Sequence, residues 1–168
     1  SYLDINVDEY SYKIEDQIQA MRWLVDIIKE YATIPVSIDS SNPEIIKAGL
    51  DQYDNHMRPM VNSLSLERKD LVDAIVKFDA QVVVSAASES SMPEDSNERI
   101  ENLTNLIDYS TSKGLLLEDL FIDPLIFPIS VSSSYGTDAL EAISKIKNEW
   151  PEVNICLLYT SPSPRDLR

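Results

Sequence analysis

Glycine is nearly missing from this chain. Only Gly49, Gly114 and Gly136 occur in 168 residues, so neither a G-x-G-x-x-G turn nor a P-loop can be written, which weakens a nucleotide-binding Rossmann reading. Cys156 is the single cysteine, which rules out an internal disulfide framework and suits a reducing cytoplasm. His56 is the single histidine, leaving little material for a transition-metal centre or a Ser-His-Asp triad. It lies in the polar stretch "DQYDNHMRP" and reads as a solvated or capping residue. Basic residues are scarce as well: 14 Lys and Arg stand against 29 Asp and Glu, for a net charge of -15. Such a surface repels phosphate backbones and anionic headgroups, so no nucleic acid and no membrane surface is expected as a partner. No apolar run approaches the roughly 20 residues that cross a bilayer. The opening "SYLDINVDEY" has neither the basic region nor the cleavage pattern of a signal peptide.

What the chain does have is alternation. Short apolar runs ("YLDIN", "IPVSID", "RPMVNS", "AQVVVSAA", "LFIDP") are separated by stretches with helical spacing. From about Tyr10 to Tyr31, Ile14, Ile18, Met21, Val25 and Ile28 fall on one face. Asn42 followed by Pro43 predicts a capped helix start. "LERKDLVDAIVKF" predicts one helix with Leu71, Ile75 and Phe78 inward, and Gly114 a stop for the helix carrying Ile100, Leu103 and Ile107. A last helix, about Thr137 to Trp150, is predicted to bury Leu140, Ile143 and Ile146 together. Trp23 and Trp150 are expected in the outer layer.

Repeated strand-helix alternation implies an α/β fold of parallel strands with helical crossovers. Without a glycine-rich first turn, a (β/α)8 barrel is favoured over a doubly wound sheet. Barrels usually need about 250 residues, so the expectation is a truncated fragment with about five to six βα units. Residues 1–156 would form this domain. The tail 157–168, "LLYTSPSPRDLR", breaks the alternation and reads as non-native or disordered.

Each apolar run also finishes on a polar residue: Asp4 and Asn6, Asp39, Asn62, Ser85, and Asp123 in "LFIDP". Burying a carboxylate there is costly without a partner. In a barrel such strand ends converge on one mouth. With no Cys or His among them a transition metal is not expected, and no phosphate loop accompanies a Mg²⁺ site. Carboxylates and an amide in this arrangement suit a heterocycle with a donor-rich edge.

At these residues, "YLDINVD", "IDSSNPEIIKAGL", "VNSLSLE" and "LFIDPLIFP", the chain resembles the pterin-binding TIM-barrel methyltransferases, which pass the methyl group of methyltetrahydrofolate to the cobalt of a corrinoid (cobalamin) protein. The likeness runs from about Tyr2 to Cys156, and the folate domain of cobalamin-dependent methionine synthase is a relative. The resemblance implies that Asp123 accepts the 2-amino and N3–H pair of the pterin, that Asn62 and Asp39 bond the remaining ring nitrogens, and that Asp4 and Asn6 orient the pocket floor. It implies a folate substrate, a corrinoid-bearing partner and a homodimer for the full-length protein. A catalytic asparagine in a Ser-Asn-x-Ser motif would stand on a strand that the tail replaces here; the family's first and last strands are also expected to be missing. Dihydropteroate synthases share the Asp/Asn/Asp pattern and are the alternative, together with a noncatalytic folate-binding module of a larger methionine synthase. A dihydropteroate synthase would carry a glycine- and arginine-rich loop where this chain has "DINVDEYSYKIED".

Overall fold

The structure is a computed structural model that describes residues 1–54, 57–88 and 92–158. His56, part of the predicted loop "SESSMPEDSN", and the tail beyond Leu158 lie outside the described residues. Among the described residues six strands alternate with five α-helices: β1 (Leu3–Asn6), α1 (Ile14–Tyr31), β2 (Val36–Asp39), α2 (Pro43–Gln52), β3 (Met60–Leu64), α3 (Val72–Lys77), β4 (Gln81–Ser85), α4 (Ser96–Ser112), β5 (Leu120–Asp123), α5 (Ser134–Glu149) and β6 (Asn154–Ile155). All neighbouring strands run parallel, and the sheet order is β1-β2-β3-β4-β5-β6. A doubly wound sheet reverses its order at a switch point. Here every crossover steps the same way, and right-handed crossovers of one sense put all helices on one face. That is the wall of a (β/α) barrel.

Strand alternation then sorts the side chains. Val36 and Ile38, Val82 and Val84, and Leu120 and Ile122 enter the core shared with the helices. Opposite them, register aligns Asn6 with Asp39, Asp39 with Asn62, and Ser85 with Asp123. The helix layer is close-packed. A Cβ on Gly49 would meet Ile38 Cγ2 at 2.9 Å and Met21 Cγ at 3.1 Å, so glycine lets α2 lie against β2 and α1.

Local signals account for most element ends. The Asn42 side chain accepts from the Glu44 N–H at 2.9 Å with Pro43 in the first turn, a standard N-cap. Gly114 takes φ +106° just past α4. There the Leu115 N–H reaches the Ser110 carbonyl at 3.1 Å and the Gly114 N–H reaches Thr111 at 3.0 Å, the Schellman pairing.

Four details differ from the sequence reading. α1 begins at Ile14, because residues 8–13 form a loop tied to its first turn. "LERKDLVDAIVKF" is split: Leu66–Leu71 form a 3-10 helix, non-helical at Arg68, before α3 starts. In α5 the buried residues are Ala139, Ala142 and Ile146, whereas Leu140 is 67% exposed; the small alanines let the helix sit low on the sheet. Trp23 is 65% exposed, while Trp150 packs partly against the core.

Candidate functional site at the strand C-termini

The two ends of the sheet differ in electrostatic character. At the strand N-termini, the Arg58 guanidinium donates from both Nη atoms to the two oxygens of buried Asp119, each at 2.8 Å. Gln81 Nε2 adds a bond to Asp119 at 3.3 Å, and the Tyr2 hydroxyl bonds Gln81. Here the buried carboxylate has its counter-ion.

At the C-termini the carboxylates outnumber their counter-ions. Asp39 ends β2 half-buried and accepts from Asn6 Nδ2 at 3.0 Å. Burial pushes the Asp39 carboxyl above the usual range; the Asn6 bond and the Arg68 charge oppose this, and the Asp4 and Asp8 charges add to it. Asn62 lies beside Asp39 in register on β3, and its carbonyl accepts the Ser40 N–H at 3.2 Å. Asp123 ends β5 only 4% exposed. Burial raises its pKa as well, against backbone N–H bonds from Leu125 and Leu158. The Leu125 bond, 3.0 Å to Oδ1, makes Asp123 the first residue of an Asx turn. Asp4 and Asn6 occupy the same face of β1, Asp4 aligned with Ser37, one layer nearer the strand N-termini.

The sequence reading missed three polar residues here. Asp8, just past β1, accepts from Ser40 Oγ at 2.5 Å and from the Ser41 N–H and Oγ at 2.8 Å each. Burial works against its ionisation, but these bonds and the Arg68 charge outweigh it and hold its pKa down. Arg68 turns back from the 3-10 helix: Nη1 donates to the Ser40 carbonyl at 2.8 Å and Nη2 to Ser63 Oγ at 3.0 Å. Together they stitch the loops after β1, β2 and β3. Arg99, in the first turn of α4, is fully buried against the loop after Asp123. The alternation Asp4, Asn6, Asp8 running unbroken past the strand was the one readable hint; Arg68 and Arg99 sit in charge-rich stretches that look solvated.

Cys156 follows β6, its N–H bonding the Ile122 carbonyl at 2.9 Å. Burial and then the Asp123 charge push its thiol pKa up, the opposite of a nucleophile's environment. A cavity of about 1250 Å³ between the β1–α1 loop and α1, lined by Tyr10, Asp16 and Trp23, meets this rim at Asn6. Among the described residues no cluster of three or more His, Cys, Asp or Glu is placed to hold a metal ion, and no helix is long and apolar enough to cross a membrane.

The family model of pterin binding enzymes matches residues 1–163. The chain belongs to the pterin-binding enzyme family. Among curated relatives it is 23% identical over 147 residues to a methylcorrinoid:tetrahydrofolate methyltransferase of Eubacterium limosum, covering 84% of this chain and 53% of that one. It is 26% identical over 168 residues to methionine synthase of Mycobacterium tuberculosis, covering 92% of this chain and 14% of the relative. The chain therefore spans about half of the first relative and a small part of the second. Its fold superposes on dihydropteroate synthase of Xanthomonas albilineans, solved with 7,8-dihydropteroate, with a TM-score of 0.69 at 18% identity, over 92% of this chain and 56% of that one. The Coxiella burnetii enzyme in complex with pteroic acid gives 0.62 at 14% identity, over 92% and 58%. At these identities the likeness is one of fold.

Proposed function

We propose that this pterin-binding chain belongs to a methyltransferase that takes the methyl group of N5-methyltetrahydrofolate to a corrinoid cofactor. The reading is carried by one observation: Asp39 at the end of β2 and Asn62 within β3 are register neighbours, Asp123 ends β5 on the same face with β4 between, and the two carboxylates are desolvated with no cation among the described residues neutralising both. Such a rim is completed by a ligand bearing N–H donors. Asp123, with Oδ1 taken by Leu125, offers its remaining acceptor capacity to the 2-amino and N3–H pair of a pterin, a charge-assisted pairing. Asn62, able both to donate and to accept, and Asp39, steadied by Asn6, take the other ring nitrogens.

Each of these residues binds or orients; none is assigned a covalent step. A methyl group on N5 leaves readily only when that nitrogen is protonated or strongly hydrogen-bonded, so a fixed ring contributes by presenting N5 in one orientation. The corrinoid, held by a partner protein or domain, supplies the nucleophile that accepts the methyl group. The methyltransferase reading is preferred to a dihydropteroate synthase-like one on two grounds. Residues 6–13 contain no glycine or arginine, and the relative from Eubacterium limosum is named for corrinoid methyl transfer.

The test is calorimetric titration of the chain with methyltetrahydrofolate and with pteroic acid. Wild type should bind both, and Asn62→Ala should lose most of that affinity while melting as wild type does. Undiminished binding by the Asn62→Ala chain would refute the assignment.

A further inference from the structure

The largest fully buried side chain is a cation. Arg99 has no exposed surface, yet no carboxylate among the described residues forms an ion pair with it. Its Nε donates to the carbonyls of Pro124 at 3.1 Å and Leu125 at 3.2 Å, and its Nη1 to the Asp95 carbonyl at 2.8 Å. Nη2 is buried with no hydrogen-bond partner. Phe127 covers the guanidinium at 5.1 Å and is itself met edge-on by Tyr135. Burial pulls the Arg99 pKa down, and the more distant Asp138, Asp95 and Glu98 offset this in part. A buried cation satisfied mainly by carbonyls is a poor stabilising device, and apolar residues of similar size often do better.

The loop it grips explains its presence. Leu125 has φ +60°, the left-handed region that a side chain with a Cβ resists. Its N–H, in the same peptide plane as the Pro124 carbonyl, points back at Asp123 Oδ1, 3.0 Å away. We infer that Arg99 is a positioning residue for the Asp123 carboxylate: by holding the Pro124 carbonyl it fixes the peptide plane whose Leu125 N–H is aimed at Oδ1, and by holding the Leu125 carbonyl it keeps the left-handed turn that follows. Arg99 works through backbone geometry. Asp123 faces the Leu125 and Leu158 N–H groups and, just past β6, the Cys156 thiol. The functional meaning rests on the pterin reading; the geometric claim does not.

Carbon-detected NMR of the full chain, labelled at aspartate carboxyls and assigned through Asp123→Asn, follows the Asp123 titration without any ligand. Loss of the Leu125 N–H bond should move its midpoint upward in Arg99→Met, and less so in Arg99→Lys, whose ammonium retains a donor. Asn102→Ala, which removes a 2.9 Å bond from the same helix to the Ala86 carbonyl, should leave the midpoint in place. If Arg99→Met proves unfolded by circular dichroism, Arg99→Lys alone decides. An Asp123 midpoint unchanged in either folded Arg99 variant overturns the inference, and so does an equal shift in Asn102→Ala. Pteroic acid affinity should fall at least tenfold in Arg99→Met. If wild type binds no pterin while the midpoint still moves, the proposed function fails and the positioning role stands.

Discussion

Replacing Asp123 by asparagine should strengthen the fold and ruin the site. The carboxylate is 4% exposed, and burial raises its pKa in the folded chain. A folded pKa above the unfolded one means that the native state binds the proton more tightly. The associated stability is fully present below the unfolded pKa and is lost as pH rises through the folded value. At neutral pH the ionised group therefore weighs against folding. Asparagine removes that charge and keeps an oxygen for the Leu125 N–H. It gives up acceptor strength toward Leu158, so the net gain is about 1 kcal/mol, the low end of the cost of burying an imperfectly compensated polar group. For a chain of this size that is a rise in Tm of about 2–4 °C. The gain should vanish in acid, where both carboxylate states are protonated. Pterin affinity should move the other way: losing a charge-assisted donor pair costs about 3 kcal/mol, or ~100-fold in Kd. Differential scanning fluorimetry between pH 3 and 8 and calorimetric titration with pteroic acid measure the two halves. An Asp123→Asn chain that melts below wild type at pH 7, or binds pteroic acid equally well, refutes the reasoning.

The opposite end of the sheet should respond in reverse. Arg58→Met strands buried Asp119 and should cost about 3 kcal/mol in a denaturant titration, while leaving pteroic acid affinity within twofold. Gly49→Ala forces a Cβ to within 2.9 Å of Ile38; overpacking of that kind costs about 1–3 kcal/mol, read as a lower urea midpoint with an unchanged slope. Because Ile38 immediately precedes Asp39, the same variant should also weaken pterin binding modestly.

The strand ends were legible because alternation is a short-range signal. In "VSID" and "LFID" the last polar residue can only lie on the face opposite its apolar neighbour, whatever surrounds the chain. Sequential sheet order was legible because the scarcity of glycine disfavoured a nucleotide-binding turn. The loops were not. Whether Arg68 and Arg99 point outward or fold back depends on carbonyls from distant segments, Ser40 for one and Pro124 and Leu125 for the other, and no local pattern announces that. "ERKD" and "SNER" look like ordinary solvated charge. Leu140 was misread for a related reason: a face of α5 carrying Ala139 and Ala142 competes with one carrying leucine, and the space above the sheet, not hydrophobicity, decides which packs.

The paired Arg58 and Asp119 at the strand feet have a consequence for which replacements the fold tolerates. Because this ion pair lies at the pole away from Asp39, Asn62 and Asp123, replacing those three leaves it intact. The same six-stranded frame can therefore carry a different set of side chains at its mouth and still keep its charged foot neutralised.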